Sequence, residues 1–374
     1  MFRRRDPNDP NETPDWILQE ALQQQTTANS SWQPPNTTEA SRLANTESMN
    51  GDAGSKEDGG LTLTVLGCGT MGIAVLGGIM DSLSQSHPQD HISLQKQSQS
   101  GTSTPAEPIP ERLPTRFNAC VRRHESAKRI KRELGQYPAF DELTIHENDN
   151  LGPTREADVI LLACKPQMVA EIFNSQEMKD ATKGKLLISI LAGVTGPQIE
   201  STLDQPSCTV VRAMPNTAAA VRESMTVVAT STPPLPAQTH NLITWIFSRI
   251  GRVTYLPPST MDASTALCGS GPAFVALMLE SLVAGGVAMG LPREEAYMMA
   301  AQTMRGTTGL VLQGEHPAIL KDKVSTPGGC TIGGLLVLEE GSLKGTVARA
   351  VREATVVASQ LGQGKQGVNG TRMS

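Results

Sequence analysis

The sequence predicts an α/β chain in two parts, a doubly wound parallel sheet followed by an all-α domain. Three observations predict it. Between Leu61 and Leu256, short apolar and β-branched runs alternate with helical patterns. Gly67-Cys68-Gly69-Thr70-Met71-Gly72 separates the first such run from the first helix. Beyond Pro258 the strand patterns stop and long apolar helices follow as far as Leu361. The organisation expected is a disordered tail over 1–60, a sheet domain over 61–257 with a polar insertion at 84–115, a helical domain over 258–361 and a flexible tail over 362–374.

Composition narrows the class. The chain has 374 residues, 38% of them hydrophobic, enough for two ordinary domains. A net charge of −5 with no basic stripe argues against a nucleic-acid partner. The six cysteines stand apart from one another, with no CxxC pair for zinc or redox work. They are expected to be reduced core residues of a cytoplasmic protein. Arg3-Arg4-Arg5 precedes no apolar run, so no secretory signal is expected, and Asp6, Asp9, Glu12 and Asp15 disfavour a mitochondrial presequence. Ala273–Leu291 is apolar enough to imitate a membrane span. It carries Glu280, Gly285 and Gly286 and lacks a basic flank, so a helix buried in an interface is expected, with no membrane.

Residues 1–60 are polar and aperiodic, with one short helix expected near Trp16–Gln24. Leu61–Leu66 reads as a strand and Ile73–Leu83 as a helix, so the GxGxxG lies in the context of the Rossmann dinucleotide fingerprint. Gly67 permits the tight turn, Gly69 lets a pyrophosphate approach the backbone, and Gly72 lets the helix pack on the strand. The second strand, Arg116–Val121, follows the insertion and runs into Arg122-Arg123 without an acid before Glu125. An acid there would hold the ribose hydroxyl of NADH; two guanidiniums suit the 2′-phosphate of NADPH. A basic loop without a ligand is the plainer alternative. A helix at Glu125–Leu134, a strand at Leu143–His146 and a loop with Asn148 and Asn150 come next. Asp158–Ala163 is continuously apolar, as a strand covered on both faces requires, and ends in Cys164-Lys165-Pro166 at the edge where ligands sit. Lys185–Leu191 ends at Ala192-Gly193, and Thr209–Ala213 ends at Met214-Pro215-Asn216-Thr217. The Asn216 amide offers a donor and an acceptor, as a nicotinamide carboxamide does. Strands at Met225–Ala229 and Arg252–Leu256, with a helix at Thr239–Ile250 between them, complete the sheet domain.

Helices are then expected at Pro272–Met289, Arg293–Gln313, Pro317–Lys323, Thr331–Glu340 and Ser342–Leu361. The first is apolar on nearly every face and needs cover that about 115 residues cannot supply, which predicts an intertwined homodimer. Between the third and fourth lies Val324-Ser325-Thr326-Pro327-Gly328-Gly329-Cys330-Thr331. Pro-Gly-Gly makes a turn, and the first amides of the next helix point back at it, where they can hold a carboxylate. An ordinary helix-to-helix turn with a Thr cap is the plainer alternative.

From Leu61 to Leu361, outside the insertion, the sequence resembles the pyrroline-5-carboxylate reductases. The resemblance rests on Gly67–Gly72, Ala163-Cys164-Lys165-Pro166, Arg212–Thr217, Gly269-Ser270-Gly271-Pro272-Ala273 and Lys321–Gly334. It implies reduction of the cyclic imine Δ1-pyrroline-5-carboxylate to L-proline with NADPH, with NADH as the second cofactor, in a homodimer or a higher homo-oligomer. It also implies that the Gly67, Gly69, Thr70, Met71 and Gly72 loop holds the diphosphate. Asn150, Ala163, Cys164, Lys165, Pro166, Ala192, Gly193 and Asn216 would lie along the cofactor track. Val324, Thr326, Gly329, Cys330 and Thr331 would hold the substrate, often across the dimer, with the Thr331 hydroxyl beside the ring nitrogen. Gly333-Gly334 stands where some relatives carry bulkier residues.

Three rivals are weighed against this reading. A β-hydroxyacid dehydrogenase shares the GxGxMG start but needs a lysine in the first long helix of its second domain, and Ser259–Pro292 holds neither Lys nor His. A reductase of a methylated pyrroline carboxylate would keep every motif. So would a non-catalytic protein that only senses NADPH.

Overall fold

The computed structural model describes residues 59–84, 110–203, 208–365, 368 and 370–371. The helix expected near Trp16 and most of the polar insertion lie outside the described residues. Eight strands form one sheet in the order β3-β2-β1-β4-β5-β6-β7-β8. The first six, β1 (Leu61–Leu66), β2 (Pro114–Val121), β3 (Leu143–Glu147), β4 (Val159–Leu162), β5 (Leu186–Ser189) and β6 (Thr209–Met214), are parallel. Strand order reverses at β1 and β4, which opens a crevice above their carboxyl ends.

Two apolar cores, one on each face, explain why the central strands carry no alternation. On one face Val75, Leu76 and Ile79 of α1 (Thr70–Ser84) and Ile130 and Leu134 of α2 (His124–Leu134) pack on Leu63, Val65 and Phe117. On the other, Leu66, Ile160 and Leu187 meet Ile172, Phe173 and Ile199. That second layer is built from short helices: α3 (Leu151–Glu156), α4 (Val169–Ile172), α5 (Gln176–Asp180) and α6 (Gly196–Thr202). They start on local chemistry. Ser175 caps α5 by accepting from the Met178 amide, and Thr195 with Gln198 forms a reciprocal capping box at α6.

The last two strands depart from the expected parallel pattern. β7 (Ser224–Ala229) runs antiparallel to β6, and β8 (Gly251–Leu256) returns parallel to β7 after α7 (Ala237–Ser248). The link from Met214 to Ser224 holds only a short 3₁₀ turn ending at Arg222, in the left-handed region at φ 63°. That is too short for a crossover, so the chain reverses. The Arg222 side chain then stitches three elements, donating to the Ala74 carbonyl and the Tyr137 hydroxyl, both at 3.2 Å.

The rest is helical: α8 (Met261–Ser264), α9 (Gly271–Ala288), α10 (Arg293–Leu312), α11 (Pro317–Val324), α12 (Cys330–Glu340) and α13 (Leu343–Gly362). A π-turn over Thr265–Gly269 joins α8 to α9, with the Ser270 amide donating to the Thr265 carbonyl at 3.0 Å. The segment 258–288 is long and apolar enough to cross a membrane, and its own chain leaves it almost uncovered. Leu277 is 64% exposed and Leu336, on α12, 58%. An apolar helix in that state lacks its packing partner. The expected loose tail is tied in part: Glu353 accepts hydrogen bonds from the amide and hydroxyl of Thr371.

Candidate active site

The crevice at the β1/β4 switch is a cleft of about 280 Å³. Its floor follows from close backbone packing. Gly67 follows β1 directly, at φ 80°, and a β-carbon there would sit 2.6 Å from the Cys164 Cα. The Gly67 and Cys68 amides both donate to the Cys120 carbonyl, at 3.2 and 3.0 Å, tying the loop to the end of β2. Gly72 lies in the first turn of α1, where a β-carbon would meet Val65 at 2.9 Å and the Cys68 sulfur at 3.2 Å. Gly69 differs: a β-carbon there would find only the Gly67 carbonyl, at 4.0 Å, so its bare backbone faces open space.

The charge of this cleft is one-sided. Arg122, Arg123 and Lys165 line it, and among the described residues no carboxylate does. Arg122 directly follows β2, and Arg123 is the N-cap of α2 with no side-chain cap bond. Gly67, Gly69, Asn150, Ala163 and Cys164 complete the part of the predicted site that the fold brings together here. A diphosphate fits this arrangement: open backbone at Gly69, the start of a fifteen-residue helix behind it, and three cations around it. Thr70 instead accepts from Arg129 at 3.0 Å, Met71 packs partly on the core, and Pro166 opens a 3₁₀ turn at the rim. The sequence pointed to Cys164 alone among the three thiols here. Cys68 and Cys120 line the same cleft. Burial pushes all three thiols up, Cys120 to about 12 and Cys164 to about 11, so they are neutral, unreactive wall atoms near pH 7.

Besides Thr70, Met71, Gly72 and Pro166, three further predicted cofactor positions lie outside this lining. Gly193, at φ 72°, lies against the end of α13, where a β-carbon would meet that of Leu361 at 3.2 Å. Its neighbour Ala192 is exposed. Asn216 is already committed: its Oδ1 accepts from the Ala218 amide and its Nδ2 donates to the Cys268 carbonyl, each at 3.0 Å. The second bond fastens the loop after β6 to the π-turn that leads into Ser270-Gly271. One N–H and one lone pair of the Asn216 amide remain for a ligand.

The turn of the helical domain is a type II turn. Pro327 and Gly328, at φ 71°, occupy its centre, and the Gly329 amide donates to the Thr326 carbonyl at 3.0 Å. That bond consumes the Gly329 N–H, so an anion would meet the next amides, from Cys330 onward, where α12 begins without a side-chain cap. A β-carbon at Gly329 would press on the Thr326 hydroxyl at 2.6 Å and the Thr326 carbonyl at 3.1 Å, so a larger residue would require Thr326 to shift. Thr331 is half-buried in the first turn of α12, while Val324 and Cys330 are exposed. Cys330 is therefore not the core residue that the cysteine pattern predicts. No residue of this turn lines the nucleotide cleft, whose lining ends at Ile172. A single chain carries the two halves separately.

Comparison with known proteins identifies both halves. Residues 258–361 match the family model for pyrroline-5-carboxylate reductase dimerisation, and residues 62–193 that for NADP oxidoreductase, coenzyme F420-dependent. The chain is 59% identical over 327 residues to a pyrroline-5-carboxylate reductase of Lophium arboricola, covering 85% of this chain and 98% of that one. It is 53% identical to the Neurospora crassa pyrroline-5-carboxylate reductase, with the same coverage. The solved Plasmodium falciparum pyrroline carboxylate reductase with NADP bound superposes with a TM-score of 0.63 at 25% identity, over 81% of this chain and 98% of that one. The dimerisation match accounts for the uncovered apolar helices: the chain is a homo-oligomer. It belongs to the pyrroline-5-carboxylate reductase family.

Proposed function

We propose that this chain reduces Δ1-pyrroline-5-carboxylate to L-proline with NADPH, in a homodimer that completes the substrate site. The observation that carries the reading is the acid-free cleft with Arg122, Arg123 and Lys165, in the same chain as an uncapped helix start at a Pro-Gly-Gly turn. The dinucleotide supplies hydride. The protein's part is placement, because a protonated imine accepts hydride without a strong general acid. The amides from Cys330 onward hold the substrate carboxylate, and the Thr331 hydroxyl faces the ring nitrogen and relays a solvent proton to it, taking one back from water as it gives its own. Hydride at carbon and a proton at nitrogen together convert C=N to CH–NH. Val324 and Thr326 line the ring. A cytoplasmic site of action is part of the proposal, and the dimer interface, rather than a membrane or nucleic acid, is proposed to cover 258–288.

Purified protein is expected to oxidise NADPH with pyrroline-5-carboxylate and to form proline in equal amount; NADPH binding without proline formation would favour the sensing role. Gly333 and Gly334 face open space, so the assay includes a 4-methyl analogue. Arg122→Ala with Arg123→Ala is expected to raise KM for NADPH by about 10- to 100-fold and that for NADH much less. Equal effects on the two cofactors would remove the 2′-phosphate assignment and with it the preference for NADPH.

A further inference from the structure

A second cavity, of about 270 Å³, opens beside the nucleotide cleft, and Arg122, Asn150, Met168 and Ile172 line both. Glu171 lines only the second. It stands on α4, across the cleft from the end of β2, and its Oε2 lies 3.8 Å from Nη1 of Arg122. That separation is longer than a charge-assisted hydrogen bond, so the pair is attractive without being locked. Both side chains are more than half exposed, so the guanidinium is free to turn towards a ligand. The other acid of this cavity, Asp149, is engaged: its Oδ1 accepts from the Leu151 and Gly152 amides at 3.0 and 3.1 Å. Glu171 is therefore the carboxylate set against the cation that follows β2.

We propose that Glu171 tunes the choice between NADPH and NADH by competing with the 2′-phosphate for Arg122. The inference rests on the reading of Arg122 as a phosphate partner. A 2′-phosphate brings up to two negative charges to the Arg122 end of the cleft, and the Glu171 carboxylate beside it repels them. The 2′-hydroxyl of NADH carries no charge and meets no such opposition. Glu171 thus weakens NADPH more than NADH and holds the preference below what Arg122, Arg123 and Lys165 would give unopposed. Because the groups are exposed, the effect is moderate and falls as salt rises.

The test is equilibrium binding, read by calorimetry with NADPH and with NADH, on the full-length protein and on Glu171→Gln, Glu171→Ala and Arg122→Ala. Glu171→Gln keeps the shape and removes the charge. The ratio of the NADH to the NADPH dissociation constant is expected to rise about three- to tenfold in both Glu171 variants at low salt. It is expected to fall about tenfold or more in Arg122→Ala. A ratio equal to or below wild type in the Glu171 variants, with Arg122→Ala still lowering it, overturns the role of Glu171 alone. A ratio untouched by Arg122→Ala overturns the phosphate reading, and this inference with it.

Discussion

Gly69→Ala is expected to weaken NADPH binding by about 10- to 100-fold while leaving the melting temperature within a few degrees of wild type. The asymmetry comes from what surrounds the position. An added methyl would touch nothing closer than the Gly67 carbonyl at 4.0 Å, and Gly69 is not among the positive-φ glycines, so the folded chain has room for it. The space it would fill is the open face of the loop, which a diphosphate must approach. Gly67→Ala makes the contrasting control. It would place a side chain at φ 80° and drive its β-carbon to 2.6 Å from Cys164 Cα and 2.8 Å from Cys164 N. Backbone atoms of a central strand end cannot step aside, so a loss of about 2–4 kcal/mol of stability is expected along with cofactor binding. Calorimetric binding and thermal melts on the two variants check the pair. A Gly69→Ala protein that binds NADPH like wild type would show that the diphosphate does not lie on this loop.

Thr331→Ala is expected to lower kcat for pyrroline-5-carboxylate reduction by about 10²-fold or more, with KM for the substrate changing far less. The hydroxyl sits in the first turn of α12, next to the amides proposed to receive the carboxylate, so in that reading it is the side chain that faces the ring nitrogen. If it donates the proton as hydride arrives, its removal acts on the transition state and appears in kcat. If it only steadies the bound ring, KM rises and kcat stays. Thr331→Ser keeps the hydroxyl and should retain most turnover. An unchanged kcat in Thr331→Ala would refute the donor role.

Much of the sheet was legible because its signals are local. Leu61–Leu66 and Asp158–Ala163 read as short strand runs closed by glycine or by Cys-Lys-Pro; the first is a strand over those residues and the second over Val159–Leu162. The helical domain was legible from length and turn residues: α9 is an unbroken run of 18 residues, apolar on nearly every face, and α10 a run of 20, each bounded by glycine or proline turns. What stayed hidden was short or long-range. Helices of four to seven residues, such as α3 and α4, are too short to show a period, so Glu171 gave no sign that it would face Arg122. The reversal into β7 depends on the length of the link after Met214 and on an arginine in the left-handed region, which pattern alone does not mark. Asn216 was read as free for a ligand because its partner, the Cys268 carbonyl, lies 52 residues away and is offered by a π-turn. Cys330 was read as a core cysteine from its residue type, yet it is exposed at the start of α12, a helix whose apolar residues its own chain leaves uncovered.

The proposed site is two half-sites per chain, an acid-free cleft at the β1/β4 crevice for the nucleotide and an amide-lined turn at the start of α12 for the substrate. The most direct test of their union is a crystal structure of the oligomer with NADPH and L-proline bound. The account predicts nicotinamide C4 about 3–3.5 Å from the proline ring carbon bonded to nitrogen, the proline carboxylate on the amides from Cys330 onward, and the Thr331 hydroxyl on the ring nitrogen. A proline carboxylate held elsewhere, with the nicotinamide turned away from Thr331 of both subunits, would contradict it.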